Sequence, residues 1–306
     1  MTSVFIGYLQ SSCISCFHSP THCWNRKKVL YSSPFVSFRR SIPSKSSLSA
    51  RKQRILATGE TVIVFGGSGR LGRRVVGELV KQNYRVAAGG RNLERTKQVI
   101  QERIDVAHKS NLLEYFEWKA TERTSWFQKW SPDAVKAVVA VIGASGNSLL
   151  DITQPYKIDY LGNKQLIDAT KAWNPNCPFI LITSLGTGKP FTGFPAALLN
   201  LYGGILYWKR KSERHLIQSG LPFTIIRPGG LERAQDDFGV NHKVRLYPAD
   251  TQFSGSVSRL QVAQVIADAI SNPDLSRGKI VEVTALYGAK EIPLHDQWKR
   301  IPVWVE

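Results

Sequence analysis

Thr61–Val80 reads TVIVFGGSGRLGRRVVGELV, and the fold turns on this stretch. A short β-branched run enters a glycine cluster, and apolar residues then recur among arginines. Gly67, Gly69 and Gly72 fit G-x-G-x-x-G; Gly66, Gly69 and Gly72 fit the shifted G-x-x-G-x-x-G. Such a motif is weak alone. Behind a strand and ahead of a helix it becomes specific, because each glycine has a task. One allows the tight turn, one lets the backbone approach a pyrophosphate, and the last lets helix and strand pack closely. Ser68, Arg70 and Leu71 complete the loop, and the helix N-terminus would face the phosphates with unpaired N–H groups.

Strand and helix signals alternate after the motif. Strands are expected at YRVAAGG, LEYFEW, AVKAVVAVIG, FILITS, FTIIRPGG and KIVEVTA. Helices are expected at Arg70–Gln82, LERTKQVIQERI, DYLGNKQLIDATKAW, the second half of GGILYWKRKSERHLIQSG, and SRLQVAQVIADAI. Strands with few polar residues are covered on both faces. The expectation is an α/β protein: a doubly wound parallel sheet with helices on both faces, one Rossmann domain over 55–306. Residues 231–257, polar and without strong periodicity, are expected to form a small C-terminal substrate lobe or lid.

The second strand ends AAGGRN. An NAD site usually has an acid here to accept from the ribose hydroxyls. This chain has Arg91 and Asn92 instead. A guanidinium grips a 2′-phosphate bidentately, so the residues favour NADP(H), with Arg70 closing from the loop. Alternatively, Arg91 is a solvated loop residue.

At the reacting end, Tyr207 and Lys211 form a literal Y-x-x-x-K, sharing one helix face. A lysine one turn from a tyrosine eases proton transfer to a carbonyl, which Ser184 could also hydrogen-bond. Lys209 competes for the lysine role on another face of the helix, and a packing role for Tyr207 stays open. Pro228 and Gly229, after the sixth strand, form a stiff turn against which a nicotinamide could lie.

Composition bounds the rest. The 306 residues carry a formal charge of +18, with 42% hydrophobic and 21% charged residues. Half of that charge lies in residues 1–54, which are Ser-rich, lack Asp and Glu, and carry nine Lys or Arg; the remainder is +9. This is the composition of an organelle transit peptide, with plastid favoured over mitochondrion by its hydroxylated residues. Cys13, Cys16 and Cys23 lie in that leader and Cys177 stands alone, so neither a disulfide framework nor a metal site is expected. Charge alone, without a recognisable module, does not argue for nucleic acid. Pro190–Trp208 has no charged residue over 19 positions, but Pro195, Asn200, Gly203 and Gly204 interrupt it. It is expected to be an apolar loop and helix start rather than a transmembrane span. With the basic charge, it suggests peripheral docking on a membrane complex.

FGGSGRLG, ITSLGTGKP and the long YWKRKSERHLIQSGLPFTIIRPGGLERAQDD carry a resemblance that runs from Thr61 to Thr284. The chain resembles the atypical short-chain dehydrogenase/reductase family with an NAD(P)-binding domain. Within it, the chain is similar to the dehydrogenase-like redox-sensor subunits of the chloroplast inner-envelope translocon. The resemblance implies NADP binding at Gly66, Gly69, Gly72 and Arg91, a plastid address, and a redox-sensing or assembly role. The alternative is an active NADPH-dependent reductase of a small carbonyl, quinone or tetrapyrrole-like substrate. Two departures matter. The sequence through Glu306 shows none of the Ser/Pro-rich repeats by which the plant subunit tethers ferredoxin–NADP reductase, so tethering is not implied. Counting back from Glu213 puts Lys209 in the lysine slot and Ile205 in the tyrosine slot.

Overall fold

β1 (Thr61–Phe65) is buried at every position and lies in the middle of the sheet. Its alternation sorts side chains into two cores. Val62 and Val64 pack with Val75, Leu79, Val262 and Ile266 on one face, and Ile63 and Phe65 pack with Leu166, Ile167 and Leu216 on the other. The computed structural model describes residues 60–103, 110–121, 126–144, 151–189, 200, 203–232 and 236–305. The expected leader over 1–54 and the first part of the apolar stretch, 190–199, lie outside these.

The order is β1, α1 (Gly72–Lys81), β2 (Arg85–Gly90), α2 (Leu93–Gln101), β3 (Leu113–Glu117) and β4 (Val135–Ala140). A π-helical stretch, Pro155–Gly162, then runs into α3 (Asn163–Trp173), followed by β5 (Phe179–Ile182), α4 (Ile205–Ser219) and β6 (Phe223–Pro228). The chain continues through β7 (Gly230–Leu231), β8 (His242–Pro248), β9 (Ser256–Val257), α5 (Arg259–Ser271), α6 (Pro273–Ser276), β10 (Lys279–Tyr287) and α7 (Leu294–Trp298). The main sheet has the order β3-β2-β1-β4-β5-β6-β10-β8. Chain direction is parallel from β3 to β10, and the order reverses between β1 and β4. That reversal is the topological switch point, where ligands of open α/β sheets bind.

One edge differs from the all-parallel expectation. β8 runs antiparallel to β10, from Val281↔Pro248 to Tyr287↔His242. It comes from 231–257: the chain leaves through β7, returns through β9, and lays a strand on the main sheet in between. The Gln297 side chain covers the outer edge of β8, accepting from Leu246 N–H at 2.9 Å and donating to the Val244 carbonyl. A covered edge does not offer itself to another strand.

Local signals fix the helix ends. Ser258 and Gln261 form a reciprocal capping box on α5. The Asn92 side chain caps α2 by accepting from Arg95 N–H at 2.8 Å. α4 is helical over its whole length rather than its second half only. It begins after left-handed Gly203 and Gly204, and Asn200 Oδ1 accepts from the Leu206 and Tyr207 N–H groups. No helix among the described residues is long and apolar enough to cross a membrane.

Candidate functional site

The glycine loop emerges from β1 at the switch point, and geometry accounts for its residues. Gly66 is left-handed at φ +84°, and a Cβ there would strike the Val141 carbonyl. A Cβ on Gly72 would strike the Gly66 carbonyl, and one on Gly67 would stand 3.0 Å from Ala88 Cβ. Gly66 and Gly67 both donate to the Gly89 carbonyl, at 3.1 and 2.8 Å, tying the loop to β2. Gly69 is exposed and open apart from the Gly66 carbonyl. Leu71 is buried in the core beneath the loop and is not among the residues that line the cleft.

α1 begins here with no side-chain cap and no acid in its first turn. An uncapped N-terminus behind a loop without Cβ atoms is a cradle for a phosphate group. A cleft continues from it, lined by Gly66, Ser68, Gly69, Gly90, Arg91, Trp118, Ile142, Gly143 and Ile158. Gly90 keeps the end of β2 open: a Cβ there would meet the Thr96 hydroxyl and stand 2.9 Å from Ser68 Oγ. Gly90, Trp118 and Gly143 were not singled out from sequence, because separate strands bring them to the cleft. Arg91 is exposed at its rim, and its guanidinium has no carboxylate partner among the described residues. Asn92, beside it, is occupied by its capping role.

The predicted reacting residues separate. Lys211 is exposed and lies over the Tyr207 ring, its Nζ 5.6 Å from the centroid. That is a cation–π contact rather than an approach to the phenol oxygen. Tyr207 also packs edge-on against Trp208, with ring centroids 4.9 Å apart. Lys209 turns inward, its ammonium 2.6 Å from buried Asp159 on the π-helical stretch. The other Asp159 oxygen accepts from Ala144 N–H at 3.0 Å, just beyond β4. Ser184 follows β5 half-buried, its carbonyl accepting from the Thr187 hydroxyl. Pro228 ends β6 as a strand residue rather than making a turn, and Gly229 packs so tightly against Gly255 that a Cβ would strike its carbonyl.

Next to Pro228 stands Arg227, 0% exposed on β6. Its Nε and Nη2 donate to the two Glu213 oxygens, each at 2.9 Å, and Nη1 donates to Asp250 at 2.7 Å. Glu282 on β10 is 3.5 Å away and accepts from the backbone N–H groups of Asp250, Thr251 and Gln252. Thr183 donates to Glu213 at 2.6 Å. Burial opposes the Arg227 charge, but the Glu213 and Asp250 carboxylates prevail and hold its pKa above the usual range. Burial pushes the Glu282 carboxyl up, against its three backbone donors and Arg227. The network joins α4, β6, β10 and the loop after β8. An arginine and a glutamate within apolar strand runs were its sequence signal. Cys177 is buried, its thiol pushed up to about 12 by burial, which excludes it as a nucleophile at neutral pH.

Comparison with known proteins agrees with this geometry. The profile of an NAD(P)H-binding family matches residues 66–273. The chain is 41% identical over 251 residues to "Protein TIC 62, chloroplastic" of Arabidopsis thaliana, covering 79% of this chain and 38% of that protein. It is 42% identical over 252 residues to the protein of the same name from Pisum sativum, covering 79% of this chain and 46% of that one. The chain therefore spans less than half the length of these two relatives. Among solved structures, a Bacillus halodurans protein of the NAD-dependent epimerase/dehydratase type superposes with a TM-score of 0.62 at 24% identity. That likeness covers 78% of this chain and 98% of the other, and concerns the fold.

Proposed function

This chain belongs to the NAD(P)H-binding family of Rossmann proteins and groups with chloroplast proteins, and from that membership we propose that it is an NADP(H)-dependent redox-responsive subunit of a plastid complex. One observation carries the cofactor choice. Where an NAD site has an acid after the second strand, this chain has an exposed, carboxylate-free Arg91 at the rim of the cleft. In this reading Gly66, Gly67, Ser68, Gly69 and Gly72, with the α1 N-terminus, receive the pyrophosphate. Arg91 and Arg70 receive the 2′-phosphate, and the ends of β4 and β6 face the nicotinamide. The bound cofactor supplies hydride chemistry. The chain's own residues orient it and set the charge around it.

Lys211 lies over the Tyr207 ring and Lys209 pairs with Asp159, which favours a responsive subunit over a reductase of the tyrosine–lysine type. The apolar stretch leading into α4 and the basic charge support peripheral docking on a membrane complex. A reductase reading rests on Lys209, whose ammonium is held beside the cleft and could donate a proton to a carbonyl substrate.

Titration of the full chain with NADPH, NADP+, NADH and NAD+, followed by quenching of tryptophan fluorescence, tests the cofactor choice. NADP(H) should bind about tenfold or more tightly than NAD(H), the worth of one charge-assisted contact. Equal affinities would overturn it. Turnover of quinone or carbonyl substrates, abolished in Lys209→Met with NADPH still bound, would establish the reductase instead.

A further inference from the structure

Lys209 fills the lysine slot of the tyrosine–lysine pattern, but its pairing with buried Asp159 belongs to no motif, and the pair stands where the reacting end of the cofactor would lie. With Arg91 on the β2 side and the glycine loop at β1, the remaining end of a dinucleotide crosses the switch point toward β4. Gly143, just past β4, lines the cleft there. A Cβ on Gly143 would be 3.3 Å from Asp159 Oδ1 and 3.6 Å from Lys209 Nζ. Both charges therefore press against the cleft wall.

The Asp159 side chain is 1% exposed and that of Lys209 is 13% exposed, so the ammonium is the outer member. Asp159 is held from several sides. Its carbonyl accepts from Asn163 Nδ2 at 2.9 Å and from the Ser212 hydroxyl, and its Oδ2 accepts from Ala144 N–H. Among the described residues its Oδ1 has no aligned hydrogen bond and is met by the Lys209 charge. The π-helical backbone that carries it is rare and concentrates at functional sites. One turn before Lys209 stands Ile205, so the position of the tyrosine in a tyrosine–lysine pair holds no phenol.

The oxidised nicotinamide ring is cationic and the reduced ring is neutral. A lone ammonium beside the ring would penalise the oxidised form only, and a carboxylate 2.6 Å from that ammonium cancels most of its field. We propose that Asp159 sets the relative affinity for oxidised and reduced cofactor by neutralising Lys209 at the nicotinamide end of the cleft, an inference that rests on the NADP(H) reading above. Asp159 acts through Lys209 and is a positioning residue.

The test measures Kd for NADP+ and NADPH on the full chain, with melting curves for every variant. Asp159→Asn should weaken NADP+ relative to NADPH about fivefold or more, the order expected for one unscreened charge several ångströms away. The neutral double variant Asp159→Asn/Lys209→Met should return to within about twofold of the wild-type ratio, which packing damage would not do. Should Asp159→Asn not fold, Lys209→Met carries the test with the opposite sign, favouring NADP+. An unmoved ratio in a folded single variant, or the same shift in the double variant, overturns the proposal. Failure of the wild-type chain to bind either nucleotide would instead overturn the cofactor reading.

Discussion

Arg227 and Arg91 carry the same side chain into opposite surroundings. Arg227 is 0% exposed and donates to both oxygens of Glu213 and to Asp250, so its donors are committed within the fold. Arg91 is exposed at the end of β2, without a carboxylate among the described residues, on the rim of a cleft built from glycine backbone. A buried guanidinium of this kind is a structural commitment, since removing it strands carboxylates away from water. An exposed one contributes little to stability and remains available to a ligand. Burial and partners, rather than residue type, separate the part of the site that must stay folded from the part that must stay open.

Substitution at Arg227 should break this contrast most severely. Arg227→Met strips buried Glu213 of two donors, leaving it only the Thr183 hydroxyl and a longer contact from Arg210, and is expected to cost about 3–5 kcal/mol of unfolding free energy. Denaturant titration measures this, and a loss below about 1 kcal/mol would show that the network is not structural. Gly72→Ala acts at the other region. Its Cβ would strike the Gly66 carbonyl, so the loop must shift. About 1–3 kcal/mol of stability should go, and nucleotide affinity should fall about tenfold or more, because small displacements of a binding backbone are amplified. Calorimetry of apo and nucleotide-titrated samples reads both effects. Asn92→Ala sharpens the contrast between neighbours. It removes the α2 cap at about 1 kcal/mol, while the preference for NADP(H) over NAD(H) stays with Arg91 and does not change.

The sequence revealed whatever depends on local pattern. β1 and the glycines were legible because a covered strand and a Cβ-free turn each leave a signature within a few residues. β8 was not. HKVRLYP mixes basic and apolar residues, and its pairing with β10 joins positions about 40 residues apart. The start of α4 was hidden because its cap comes from Asn200, six and seven residues before the N–H groups it receives. Of the Arg227 network only Arg227 and Glu282, charges within apolar strand runs, left a signal; its membership was hidden for the same reason, since Glu213, Asp250 and Glu282 meet only after β6 and β10 pair. Asp159 sat within a stretch read as ordinary helix, and nothing in a helical periodicity marks a π turn. The tyrosine–lysine pattern had the reverse fault. Its spacing was right, but Lys211 faces outward over the ring while Lys209 turns inward to Asp159.

The most direct measurement compares Arg91→Asp with the wild-type chain for NADPH and NADH affinity and for melting temperature. The NADPH-to-NADH preference should fall by about tenfold or more and stability should stay within about 0.5 kcal/mol, as for an exposed residue serving a ligand. An unchanged preference in a stably folded variant would contradict it, leaving Arg91 as solvated surface and the choice of cofactor to other residues of the cleft.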